Sequence, residues 1–160
     1  MTPAIIELER AGAAFVVHQF DHDPAERRYG LAAAEQLGVD PDRVFKTLLA
    51  EVTSSTGVMS TVVGIVPVSA QLRLKELAAA VGGKRAEMAD PAAAERMTGY
   101  VVGGISPFGQ KKRLRTVIDE TCALSDTIFV SGGRRGLDLE IAPAVLIAQL
   151  DAVVAAIATG

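Results

Sequence analysis

Cysteine occurs once in these 160 residues, as Cys122, so no disulfide can close within the chain. Histidine occurs twice and tryptophan not at all. A zinc site gathers several nitrogen or sulfur ligands. One thiol and two imidazoles four positions apart, His18 and His22, give it weak support, and no metal or cofactor is expected. Unpaired cysteine usage fits a reducing cytoplasm. No window reaches the roughly 18 uncharged apolar residues of a membrane span. The start, Met1-Thr2-Pro3-Ala4, runs into a helical pattern with Glu7, Glu9 and Arg10 instead of a basic leader with an apolar core, which predicts no secretion signal. An excess of positive charge is also missing. Sixteen Lys and Arg against 19 Asp and Glu leave a net charge of −3, which argues against a general nucleic-acid binder. Local basic runs remain at Lys111-Lys112-Arg113-Leu114-Arg115 and Arg134-Arg135; taken alone, such short runs read as solvated surface.

What is present is the balance of an ordered protein, 49% apolar and 22% charged. The length suits one domain over 1–160, with no linker, repeat or low-complexity tract. Thr2 and Pro3 open a helix that Gly12 ends, and 14–20 reads as a strand. A polar loop through Asp21-His22-Asp23-Pro24 leads to a helix around 31–37, closed by Gly38. Strands follow at 44–50 and 59–68, with a turn at 54–57. Ser69 is a candidate cap for a helix over 72–81, and Asp90-Pro91 opens a short helix ending near Gly99. After the glycine-rich stretch 100–109, strands are expected near 114–119, 127–131 and 137–142, with Gly132-Gly133 as a turn, and then a helix from Pro143 to about Ala158. Alternating strands and helices, with several strands joined by tight turns, predict an α/β fold built on a mixed, barrel-like sheet flanked by helices.

Few residues offer chemistry. Cys122 has no basic neighbour to activate it, and Val130-Ser131-Gly132-Gly133 lacks the Gly-x-Ser-x-Gly elbow, so a nucleophile–base triad is poorly supported. His22 between Asp21 and Asp23 reads as a loop residue, and His18 as a structural one. Lys46 interrupts an apolar strand. Either it alternates outward to water or it reaches into a pocket to meet an anion or a polarised carbonyl, and periodicity leaves the two readings level. Gly103-Gly104-Ile105-Ser106-Pro107 is either a turn or a loop whose amides approach an oxygen gaining charge. Asp138, between Leu137 and Leu139, falls on the face opposite theirs. Polar segments without a metal or a triad suit a site that orients an already reactive ester.

These segments resemble the YbaK/EbsC-type deacylases of the prolyl-tRNA editing-domain superfamily. The likeness is carried by His22-Asp23-Pro24-Ala25-Glu26, Phe45-Lys46-Thr47-Leu48, Glu87-Met88-Ala89-Asp90-Pro91, Thr98-Gly99-Tyr100, 102–114, 130–133 and 136–140. The resemblance implies a barrel-like mixed sheet with surrounding helices, and hydrolysis of mischarged Cys-tRNA(Pro), with Cys-tRNA(Cys) as a further substrate. Lys46 matches the superfamily's lysine, and Gly103 to Pro107 its Gly-x-x-x-Pro loop. By the same resemblance Lys46, Gly103 and Gly104 are expected to act on the ester, and Phe20, Ser106, Pro107, Ser131 and Asp138 to hold the substrate. Lys111, Lys112, Arg113, Arg134 and Arg135 are expected to attract the tRNA acceptor end. The substrate's own thiol is expected to attack its ester carbonyl, closing a thiolactone, so no protein nucleophile is called for. Phe20 stands where the family commonly has tyrosine, which keeps an aromatic platform and removes a hydroxyl. Prolyl-tRNA synthetase is an expected partner. The alternatives are a deacylase for another small amino acid such as alanine, and a non-catalytic module that binds tRNA or the synthetase.

Overall fold

The computed structural model describes residues 1–159. Helix α1 (Pro3–Arg10) starts as its cap requires, with the Thr2 hydroxyl accepting from the Ile5 N–H. Then come β1 (Val16–Gln19), α2 (Tyr29–Leu37), β2 (Phe45–Thr53), β3 (Met59–Pro67), α3 (Leu74–Ala80), β4 (Arg85–Met88) and α4 (Pro91–Thr98). The chain continues through β5 (Arg115–Asp119), β6 (Ile128–Arg134), β7 (Leu137–Ile141), α5 (Pro143–Leu150) and β8 (Val153–Ala155). Gly38 and Gly99 end α2 and α4 in the left-handed conformation, where a side chain would be strained. No helix among the described residues is long and apolar enough to cross a membrane.

The strands form two sheets, β1-β7-β6 and β4-β2-β3-β5-β8. The first is antiparallel; the second is mixed, because β3, β5 and β8 run parallel through crossovers. A single parallel bridge, Val44 to Phe129, joins them. The mixed α/β architecture agrees with the sequence reading, but no barrel closes. The first sheet ends at β1 and the second at β8, and among the described residues that bridge is the one backbone pairing between them. Phe45, Leu49, Val63 and Ile65 of the second sheet pack with Ile128, Val130, Leu139 and Ile141 of the first, and Leu8, Phe108 and Leu146 complete this main core. A second core lies between the large sheet and α3, around Val62, Val66, Leu77 and Val117.

Four local expectations differ. β4 was not anticipated; its Arg85-Ala86-Glu87-Met88 is mostly exposed and has a weak apolar alternation, and pairing with Ala50–Thr53 makes it a strand. Gly132-Gly133 is not a turn but an irregularity inside β6, where the register slips between Ser131 and Arg134, and the reversal falls at Arg135-Gly136. Helix α5 stops at Leu150 because Asp151 turns left-handed (φ 50°), which frees β-branched Val153 and Val154 to pair with β5. Ser69 caps nothing; its hydroxyl goes to Asp42, and α3 begins five residues later.

Candidate active site

β2 has one complete neighbour and one broken one. Along one edge β3 pairs with it from Phe45–Pro67 to Thr53–Met59. Along the other, β4 covers only Ala50–Thr53, with the Ala89 N–H adding a bond to the Leu49 carbonyl, and among the described residues β6 bridges the backbone only at Val44, just ahead of β2. The edge between is open, and there lies a cavity of about 560 Å³, a size usual for small-molecule sites. Lys46, Thr47 and Leu48 lie on its wall.

Register explains which polar side chains meet there. Paired residues share a face, and alternate residues along a strand return to it. Continuing the parallel Val44–Phe129 bridge by two residues brings Lys46 level with Ser131. Ser131 pairs with Asp138, and Asp138 with His18. One row across β2, β6, β7 and β1 therefore carries Lys46, Ser131, Asp138 and His18 on the face that α2 covers through Ala34, Val44, Val68 and Phe129. The first three line the cavity. His18 bonds Glu140 (2.9 Å) and tilts onto the Phe129 ring, so it is structural, as expected.

The row is electrostatically unfinished. Asp138 is buried, and no group among the described residues hydrogen-bonds its carboxylate; burial raises its pKa from 3.8 to about 7. Half-buried Lys46 has no ion-pair partner among the described residues, and burial lowers its pKa. The Ser131 hydroxyl accepts from the Gly133 N–H. Thr47 Oγ1 is buried without any partner among the described residues, a rare condition for a hydroxyl.

Opposite β2 stands the glycine loop. The Gly104 N–H closes a turn onto the Val101 carbonyl (2.9 Å), and Gly103 takes φ 88°, as a type II turn requires. The Gly103 N–H has no acceptor among the described residues. Arg135 reaches across from the β6–β7 turn. Its Nε and Nη2 donate to the Val102 carbonyl (3.1 and 2.7 Å), Nη2 donates to the Tyr29 hydroxyl (3.1 Å), and its guanidinium stacks 4.3 Å from the centre of the Tyr29 ring.

Of the residues singled out in the sequence, Phe20, Lys46, Gly103, Ser131, Arg134, Arg135 and Asp138 line the cavity. Gly104, Ser106, Pro107, Lys111, Lys112 and Arg113 do not. Gly104 is packed so tightly that a Cβ there would sit 2.8 Å from Arg134 Cα, and its N–H is spent within the turn. Ser106 is fully buried, with its hydroxyl accepting from the Phe108 N–H, and Pro107 is buried beside it. The Lys111 and Lys112 amides bond the last carbonyls of α4, at the opposite end of that helix from Pro91, which does line the cavity. Sequence reasoning missed Arg27, Arg28, Tyr29 and Thr47. The Arg27-Arg28 pair was a readable cue for a basic rim, whereas Thr47 had none, since it looks like any strand threonine. No group of three or more His, Cys, Asp or Glu among the described residues could hold a metal ion.

Residues 27–148 match the aminoacyl-tRNA editing domain. The chain belongs to that family. Among curated relatives of this editing domain, EbsC of Enterococcus faecalis (strain ATCC 700802 / V583), named as a Cys-tRNA(Pro)/Cys-tRNA(Cys) deacylase, is 39% identical over 139 residues, 87% of this chain and 79% of that one. ProXp-y of Escherichia coli (strain K12), named a multifunctional Ser/Thr-tRNA deacylase, is 35% identical over 88 residues, 55% of this chain and 52% of its own. Two solved structures share the editing domain's fold over nearly their whole length. The hypothetical protein APE2540 superposes with a TM-score of 0.85 at 22% identity, covering 99% of this chain and 100% of its own. A protein described as a trans-editing enzyme for prolyl tRNA synthetase superposes with 0.81 at 24%, covering 100% and 99%.

Proposed function

We propose that the chain is an editing domain that deacylates Cys-tRNA(Pro) in the cytoplasm, by helping the cysteinyl thiol attack its own ester. The observation that carries this reading is one cavity walled by an ammonium, a carboxyl and an amide N–H that have no partner among the described residues, and by no activated nucleophile among them. Cys122 is buried in the core, where burial raises its thiol pKa, and no base is hydrogen-bonded to the Ser131 hydroxyl. The 39% identity to EbsC supports the choice of cysteine.

The thiol sulfur bonds to the ester carbonyl carbon, and a tetrahedral oxyanion forms. The bond from that carbon to the tRNA 3′ oxygen then breaks, the proton given up by the thiol passes to the departing oxygen, and a four-membered thiolactone leaves for hydrolysis by water. Asp138 as carboxylate anchors the substrate's ammonium group and turns the thiol toward the ester. The Gly103 N–H faces the oxyanion, and Lys46 meets the ester oxygens or the terminal phosphate. Phe20 supplies an aromatic surface for the terminal adenine. Arg134 at the rim, with Lys111 and Lys112 farther out, attracts the acceptor stem, whereas Arg28 is paired with Glu26 and Glu35, and Arg27 and Arg113 donate to the Pro24 and Gln149 carbonyls. With a net charge of −3 this attraction is weak and salt-sensitive, which suits tRNA delivery by prolyl-tRNA synthetase.

Deacylation of Cys-, Ser-, Thr- and Ala-tRNA(Pro) on one tRNA body tests the reading. Cys-tRNA(Pro) is expected to react fastest by far. Seryl and cysteinyl esters consumed at equal rates would refute thiol assistance and favour water attack, the reading favoured by the unpartnered Thr47 hydroxyl and the ProXp-y relative.

A further inference from the structure

We propose that Arg135 is a positioning residue: it grips the Val102 carbonyl so that the Gly103 N–H, on the other side of the same peptide unit, is aimed into the cavity. This rests on the deacylase reading above and gives a new role to a cation that the sequence alone offered as a tRNA contact.

A trans peptide is planar, and its C=O and N–H point in opposite directions. Whatever holds the Val102 oxygen therefore sets the direction of the Gly103 hydrogen. Arg135 holds that oxygen with two N–H groups of one planar fork, at 3.1 and 2.7 Å. The fork in turn is held flat by the Tyr29 ring 4.3 Å away and by the Tyr29 hydroxyl. Gly103 is packed closely against both of these side chains. A Cβ there would lie 2.7 Å from Arg135 Nε and 2.8 Å from the Tyr29 ring, and the Gly104 N–H already fastens the turn. The Gly103 N–H has no acceptor among the described residues, and Gly103, Val102, Tyr29 and Arg135 all line the cavity. A guanidinium on the carbonyl also draws electron density through the peptide bond and makes the opposite N–H a better donor, since hydrogen bonds in a chain polarise one another. Two of the three guanidinium nitrogens are thus committed to the loop and Tyr29, which leaves Nη1 for any phosphate.

The test is single-turnover deacylation of Cys-tRNA(Pro) by the full chain and by Arg135→Ala, Arg135→Lys and Tyr29→Phe, each measured against enzyme concentration and salt. Arg135→Ala is expected to slow the chemical step about 10- to 100-fold, up to the loss of one oxyanion donor. The half-saturating concentration should stay within about twofold, with an unchanged salt slope. Lysine, which can still donate to the carbonyl but not fork or stack, should recover part of the rate, and Tyr29→Phe should cost a few-fold. Weaker binding with an intact chemical rate, and a salt slope reduced by about one, would overturn the proposal and make Arg135 a phosphate contact. If Arg135→Ala does not fold, the lysine and Tyr29→Phe proteins carry the same comparison. The Gly103 amide resonance of the free protein reports its orientation without substrate; it should shift in Arg135→Lys, and an unmoved resonance would also overturn the idea. A wild-type protein that leaves every aminoacyl-tRNA intact would sink the deacylase reading while leaving this resonance test standing.

Discussion

Replacing Asp138 with asparagine separates what this carboxyl does for the site from what it costs the fold. In the folded chain its pKa is raised from 3.8 to about 7, and burial is the only cause. Unfolded, it titrates near its ordinary value. Below about pH 4 both states hold the proton, and the residue costs nothing electrostatically. Between pH 4 and 7 the unfolded state releases its proton while the folded state keeps it, so stability falls as pH rises, then levels once the folded carboxyl has ionised. Three units at 1.36 kcal/mol each set a ceiling of about 4 kcal/mol at pH 8. Asparagine keeps the shape and never ionises, but its NH2 group brings one more unbonded donor into the site than the protonated acid has, a cost of about 1–3 kcal/mol relative to the acid. The expected result from urea unfolding is therefore a variant more stable than wild type by about 1–3 kcal/mol at pH 8, with the advantage gone near pH 4.5. Activity should move the other way. Wild-type deacylation should rise through pH 7 as the carboxylate forms and can hold the substrate ammonium, and the variant should be slow throughout and lack that rise. A stability difference independent of pH from 4.5 to 8 would refute the argument, because the carboxyl would then be solvated or paired.

The same geometry fixes other outcomes. Lys46→Ala should lower the single-turnover rate at least about 100-fold with unchanged circular dichroism, since the ammonium is a cavity group and not part of either core; near-wild-type turnover would remove it from the mechanism. Thr47→Val should raise stability by about 1 kcal/mol in urea by deleting a buried hydroxyl that bonds to nothing, and a loss instead would reveal a bonding partner. Asp119→Ala should cost about 3 kcal/mol or more, because one carboxylate oxygen accepts from the Ile157 and Ala158 N–H groups and the other caps the turn at Thr121, and a loss under 1 kcal/mol would mean that these amides find other partners. Lys111→Ala with Lys112→Ala should weaken tRNA binding at low salt and leave the rate at saturation unchanged; a slower saturated rate would place them in the chemistry.

The individual elements were legible because their signals are local. Thr2-Pro3, Asp90-Pro91 and Gly38 mark helix ends through bonds or backbone angles that involve only near neighbours, and the structure keeps all three. Elements that depend on a distant partner were not legible. β4 and β8 are strands because Ala50–Thr53 and Val117–Asp119 offer them edges, and nothing in Arg85–Met88 or Val153–Ala155 says so alone. The site divides along the same line. Lys46 could be singled out as a cation in an apolar strand, yet its two readings stayed level, because outward alternation and pocket-facing alternation are the same pattern. The single Val44–Phe129 bridge separates them, since it aligns Lys46 with Ser131 and Asp138 on the face under α2. Arg135 is the sharper case. Beside Arg134 it reads as one more surface charge, and only the fold brings it to the Val102 carbonyl, 33 residues back along the chain. A charge counted in sequence is therefore a candidate for contact with a ligand only after the backbone acceptors within its reach have been counted too. By that count Arg134, which lines the cavity, has no side-chain partner among the described residues, and Arg135 is already in use.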